Sequence, residues 1–202
     1  MIITLDPSAG AEKNTQILQQ YLDKGGTILF TARCSEFRTK EGQRKGAEIC
    51  KKHGIDGLVV IGGDGTFRGA TALTLHGIPA IGVTGTIDND ITATDYTVGF
   101  DTAMNTVLGA LERFADTCES HARCNVVEVM GRDCGQIALM TAIASGAIAV
   151  AIPEVDFDEE AALARIKAAR EAGKRGMLVV VSEGVFYDEG NGIKVPYGEY
   201  FR

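Results

Sequence analysis

The chain has 202 residues, 45% of them hydrophobic and 23% charged, the length and mix of one ordinary globular domain able to bury a core. A formal net charge of −7 excludes the basic field that non-specific nucleic-acid binding requires. No stretch approaches the roughly 20 apolar residues of a membrane helix, and the opening MIITLDPSAG has no charged leader region, so a cytoplasmic location is expected.

Short β-branched runs alternate along the chain with segments of helical period, the pattern of a parallel sheet covered on both faces. In chain order the pattern predicts a helix over Glu12–Asp23, a strand over Thr27–Phe30, a helix over Lys40–Lys52 and a strand over Leu58–Ile61. A helix over Phe67–Leu75, a strand over Ala80–Val83, a helix over Asp101–Cys118 and a strand over Val126–Met130 follow. The series continues with a helix over Gln136–Ala144, a strand over Ile148–Ile152, a helix over Glu159–Glu171 and a strand over Leu178–Val181. Gly54, Gly77, Gly146 and Gly173 each follow a helical stretch, as left-handed C-caps do. The expected fold is an α/β, doubly wound, mainly parallel sheet with helices on both faces, within a single domain over residues 1–202. Five cysteines (Cys34, Cys50, Cys118, Cys124, Cys134) form no C-x-x-C pair, so they are read as small core or loop residues.

In doubly wound sheets ligands bind beyond the carboxyl ends of the strands, and three loops there carry chemistry. The first is Gly62, Gly63, Asp64, Gly65, Thr66, where glycines let backbone N–H groups approach phosphate and Asp64 can bind an accompanying Mg2+. The bland reading makes Asp64 a helix N-cap. In the second, Gly85, Thr86, Ile87, Asp88, Asn89, Asp90, two carboxylates at i and i+2 repel, which favours a nearby cation or a raised pKa. A carboxylate there can accept the proton of an attacking hydroxyl, and Thr86 can hydrogen-bond a travelling phosphoryl group. An Asx-turn cluster is the alternative. The third is Met130, Gly131, Arg132, Asp133, Cys134, Gly135, in which Arg132 either orients an anion or is a solvated surface charge, as are Arg33, Arg38 and Arg123.

In order along residues 25–183, GGTILFTARCSEFR, GIDGLVVIGGDGTFRGA, GTIDND, DYTVGFDTA, SHARCNVVEVMGRDCG and the PEV and SEG segments closely resemble bacterial-type ATP-dependent 6-phosphofructokinases. The resemblance implies transfer of a phosphoryl group from Mg-ATP to the 1-hydroxyl of fructose 6-phosphate, a step of glycolysis. It makes Asp88 the general base, with Thr86, Asp90 and Arg132 as catalytic neighbours, and Asp64 the Mg2+ ligand. Arg33, Cys34, Gly63, Asp64, Gly65 and Thr66 fall at ATP positions. Thr86, Ile87, Asp88, Arg123, Met130, Gly131, Arg132 and Glu183 fall at fructose 6-phosphate positions. Arg123 matches an arginine that reaches the sugar phosphate of a neighbouring subunit, so a homo-oligomer, usually a tetramer, is implied, and allosteric control is common in the family. Glycine at both 65 and 85, where pyrophosphate-using relatives carry Asp and Lys, implies ATP as donor.

The family's opening S-G-G-D-x-x-G-x-N turn and its later G-H-x-Q-R-G-G segment have no counterpart in the sequence. The chain is therefore expected to be a fragment, or a copy altered at both ends, of doubtful activity. The alternatives are a catalytically inactive phosphosugar- or nucleotide-binding paralogue, or another kinase that uses G-G-D-G-T.

Overall fold

The computed structural model describes residue 19 and residues 22–25, 31–188 and 194–196. The strand expected over Thr27–Phe30 and most of the helix expected over Glu12–Asp23 lie outside the described residues.

A 3-10 turn at Glu36–Arg38 leads into helix α1, Lys40–Lys52. Thr39 caps that helix, its hydroxyl oxygen accepting the N–H of Gly42 at 3.0 Å. Strand β1, Leu58–Gly62, is followed by α2, Asp64–Leu75, and by β2, Ala80–Thr86. β1 and β2 are parallel, with Val59 opposite Ile81 and Ile61 opposite Val83. A two-residue strand β3, Val98–Gly99, extends this sheet beside Gly85 and Thr86, giving the order β1-β2-β3. Both helices lie on one face, where Ala47, Cys50, Leu73 and Ile78 form a core with Phe37, Ile55 and Leu58. Because side chains alternate across a strand, the opposite face presents Val59, Ile61 and Ile81, which are exposed among the described residues.

Helix α3, Phe100–His121, leaves β3 and leads to β4, Cys124–Val129. After it come α4, Gln136–Ser145, β5, Ala149–Ala151, α5, Glu159–Glu171, and β6, Met177–Ser182. β6 lies between β4 and β5, parallel to both. All six of its residues are buried, and its alternation assigns them to two cores. Leu178 and Val180 join Phe100, Leu111, Cys118 and Ile137 beneath α3 and α4. Val179 and Val181 join Ala149, Ala151 and Ala162 beneath α5. A short antiparallel pair, β7 at Phe186–Asp188 and β8 at Lys194–Pro196, follows. No helix among the described residues is long and apolar enough to cross a membrane.

Gly54, Gly77, Gly146 and Gly173 all have positive φ, the left-handed geometry that ends a helix at least cost in glycine. α3 runs three residues past the expected Cys118. Its last carbonyls are satisfied from a distance: Arg175 donates to the carbonyls of Glu119 and Ser120, and Arg170 donates to that of Ala122. Periodicity within residues 101–118 carries no trace of those partners.

Candidate functional site

The chemistry-bearing loops follow β1, β2, β4 and β6, at the carboxyl ends of parallel strands. After β1 the backbone turns at Gly63 and enters α2 at once, so Asp64, Gly65 and Thr66 form the helix's first turn rather than a free loop. Their position gives the site the positive end of the α2 dipole and its first N–H groups. Close packing explains Gly62, since an added β-carbon would collide with the Thr66 side chain, whereas one at Gly65 would meet nothing within 4 Å.

The loop after β2 is braced by Asn89 and Thr97, residues of the quoted motifs to which no role is assigned from sequence. Asn89 adopts φ of +53°, a left-handed conformation that Asn tolerates. Its side-chain oxygen accepts the N–H of Thr97 at 2.9 Å, and its side-chain amide donates to the carbonyl of Asp95 at 3.2 Å. Thr97, itself buried, donates from its hydroxyl to the carbonyl of Thr86 at 2.7 Å. The Thr86 hydroxyl in turn accepts the N–H of Asp88 at 3.2 Å. Asn89→Ala removes both side-chain bonds of the brace. It is expected to cost about 1–3 kcal/mol, seen as a lower urea midpoint.

Burial pushes the Asp88 carboxyl above its ordinary range, and the neighbouring Asp90 raises it further. The Arg132 guanidinium and a hydrogen bond with Thr86 oppose the rise, and Glu183 adds to it. Asp88 thus senses charges from the loops after β2, β4 and β6 together. Arg132 stands between carboxylates, Nη1 at 3.5 Å from Asp90 and Nη2 at 4.0 Å from Asp64. The other Asp64 oxygen receives the Nε–H of Arg68 at 2.9 Å.

In the loop after β4, Gly131 and Arg132 both have positive φ, which turns two successive N–H groups the same way. Both donate to one oxygen of Glu183, at 3.0 and 2.8 Å. A β-carbon at Gly131 would strike the carbonyl of Cys134, so this turn requires glycine.

The structure therefore brings together Asp64, Thr86, Asp88, Asp90, Gly131, Arg132 and Glu183, with Gly63 and Thr66 at the neighbouring helix start, whereas Ile87 packs against the core beneath them. Met130 flanks the cluster with its side chain largely exposed. Among the described residues no hydrogen bond or ion pair joins Arg33, Cys34 or Arg123 to the cluster. Arg33 and Cys34 lie exposed in the stretch before the 3-10 turn, and exposed Arg123 precedes β4, its backbone bonded to Cys118 and Met177.

Asp64 and Asp90 offer carboxylate oxygens of the kind a divalent cation takes, while no group of three or more His, Cys, Asp or Glu placed to hold a metal ion occurs among the described residues. Asp90 Oδ1 is buried without a hydrogen-bond partner, and Asp64 Oδ2 lies 4.0 Å from the Arg132 guanidinium. Mg2+ is typically held by one or two carboxylates completed by water and substrate phosphates, which this pair can supply.

The phosphofructokinase family model matches residues 6–200. The ATP-dependent 6-phosphofructokinase of Halalkalibacterium halodurans is 56% identical over 164 residues, covering 81% of this chain and 51% of its own length. That of Shouchella clausii is 56% identical over 173 residues, covering 86% of this chain and 53% of its own. The chain spans about half the length of these curated relatives. Among solved structures, phosphofructokinase from Saccharomyces cerevisiae superposes with a TM-score of 0.71 at 34% identity, over 80% of this chain and 25% of that one. The pyrophosphate-dependent phosphofructokinase from Nitrosospira multiformis gives 0.62 at 28% identity, over 79% of this chain and 44% of that one. With a family match from residue 6 to residue 200, relatives at 56% identity and the same arrangement of parallel strands, this chain belongs to the phosphofructokinase family.

Proposed function

We propose that the chain carries the phosphoryl-transfer centre of an ATP-dependent 6-phosphofructokinase, phosphorylating the 1-hydroxyl of fructose 6-phosphate in cytoplasmic glycolysis. The observation that carries the reading is the convergence of Asp64, Asp88, Asp90 and Arg132 from three strand ends. Asp88 takes the proton of the 1-hydroxyl as its oxygen attacks the γ-phosphorus of ATP. The bond from that phosphorus to the β,γ-bridging oxygen breaks, and ADP leaves. Arg132 faces the charge on the group in flight, and Thr86 hydrogen-bonds it. Asp64 and Asp90 would hold Mg2+, which supplies charge neutralisation across the donor phosphates. Gly63, Gly65 and Thr66, at the start of α2, stand beside the donor phosphates, with Arg33 and Cys34 as further donor contacts. Met130, Gly131 and Glu183 stand at the sugar of fructose 6-phosphate. Arg123 reaches the sugar phosphate bound by a neighbouring subunit in a homo-oligomer.

A coupled assay with fructose 6-phosphate, Mg2+ and either ATP or pyrophosphate tests this. Fructose 1,6-bisphosphate formed with ATP is the expected result. Absence of both turnover and fructose 6-phosphate binding by calorimetry sinks the reading.

Donor choice gives a separable prediction. The space around Gly65 accepts a side chain, and its φ is not in the left-handed region, so Gly65→Asp can fold without a clash. An acid in the first turn of α2 is expected to stabilise the chain by about 1 kcal/mol. The same carboxylate faces the donor phosphates and is expected to raise the KM for ATP more than about tenfold, equivalent to roughly 1.4 kcal/mol. Thermal melting and ATP kinetics on one preparation check both signs.

A further inference from the structure

The loop that bears Arg132 is suspended between two carboxylates. At its start Glu183 receives the N–H groups of Gly131 and Arg132. At its end Glu154, in the segment after β5, receives the N–H of Gly135 at 2.7 Å. Gly135 is the residue from which α4 begins, and neither its own side chain nor any acidic residue in the first turn serves that helix end. Glu154 supplies the missing acceptor and negative charge from another segment. The approach is close. A β-carbon on Gly135 would lie 2.5 Å from Glu154 Oε2 and would also collide with Ile152, so only glycine admits the carboxylate to this N–H.

One residue earlier the loop touches its catalytic neighbour. Cys134 Sγ lies 4.0 Å from the carbonyl oxygen of Asn89, between Asp88 and Asp90 in sequence. Burial raises the Cys134 thiol pKa, and the Glu154 carboxylate adds to that rise. Glu154 therefore acts at the point where the Arg132 loop meets the Asp88 loop.

We propose that Glu154 is a positioning residue for the phosphoryl-transfer site, fixing Arg132 and the spacing between the two loops through its bond to the Gly135 N–H. It touches no reacting atom, and the inference rests on the phosphofructokinase reading for its catalytic consequence only. Three variants separate position from charge. Glu154→Gln keeps an oxygen at the same reach, Glu154→Asp keeps the charge but withdraws it by one methylene, and Glu154→Ala removes both.

Glu154→Gln is expected to keep kcat within about threefold of the parent, while Glu154→Asp and Glu154→Ala lose about 10–100-fold. KM for ATP should stay within about threefold in all three, because the Gly63–Thr66 turn makes no bond to Glu154. A purely charge-based helix effect gives the reverse ranking, with Asp rescuing and Gln failing, and overturns the proposal. The second readout needs no turnover: alkylation of Cys134 by iodoacetamide, followed by peptide mass spectrometry. Glu154→Ala and Glu154→Gln lose the same charge but only the first frees the loop, so Ala should react at least about fivefold faster than Gln. Equal rates overturn the anchoring role. If the parent shows neither turnover nor fructose 6-phosphate binding the kinase reading fails, and the alkylation contrast still decides the role of Glu154.

Discussion

Asp88→Asn is expected to lower kcat about 10²–10⁴-fold, the usual contribution of a positioned general base, and to raise the unfolding temperature of the ligand-free chain at pH 7. Both effects have one cause. The Asp88 carboxyl is lifted above its ordinary range by burial and by Asp90, against the opposing pull of Arg132 and Thr86. A carboxyl whose pKa is higher in the folded than in the unfolded chain contributes stability that is complete below the unfolded value, about 3.9 for Asp. That contribution is lost as pH rises through the folded value. At pH 7 the ionised group is therefore a liability to folding, and in the proposed mechanism it is the form that accepts the proton. Asparagine keeps the shape and removes the charge. The gain in melting temperature should shrink as pH falls below the folded pKa of Asp88, where the parent is itself neutral. The same shift moves the acidic limb of the kcat/KM profile above the position an unperturbed Asp would give. Kinetics and scanning fluorimetry across pH 4–8 check all three. An inactive variant that melts lower than the parent at pH 7 contradicts the electrostatic account.

Phe100→Ala is expected to cost about 3–5 kcal/mol, the usual range for a large buried aromatic, and to lower the melting temperature by roughly 6–20 °C at this chain length. Phe100 is 1% exposed and opens α3 directly after Gly99, whose φ of +110° turns the chain from β3 into the helix. Its ring lies 5.7 Å from that of Tyr96, and it shares its core cluster with Leu111, Cys118, Val129 and Leu178, with Ile87 packed against it. Ile87 immediately precedes Asp88, so a cavity at Phe100 loosens the floor of the Asp88 loop as well as the core. Val126→Ala is the control. Val126 is 43% exposed, and its loss of methyls should cost less than about 1 kcal/mol. Melting curves that rank the two variants equally rule out the packing argument.

Much of the architecture is legible in residues 31–182 because the signals are local. Each Gly that closes a helix stands where periodicity stops, and each strand expected within those residues overlaps an observed one, since a β-branched run bounded by turn residues has few other uses. The site loops are legible for a related reason: strand, glycine-rich turn and helix start occur within a few residues of one another, and the fold puts that junction at the ligand-binding edge. The start of α2 is less legible, because the three glycines of G-G-D-G-T argue for a loop whereas Gly63 stands at the N-cap of the helix. The two-residue strand β3 is too short to leave a period.

Sequence alone thus settled the alternation of strands and helices, the family, and which acidic and basic residues stand at the strand ends, all properties carried by near neighbours in the chain. Tertiary structure alone decided which of those charges meet. Arg132 lies between Asp64 and Asp90, Glu183 holds the Gly131–Arg132 turn from 51 and 52 residues away, and Glu154 reaches Gly135 across 19. Parallel strands joined through helices bring distant loops to one edge, and hydrogen bonds over such separations leave no periodic mark in the sequence.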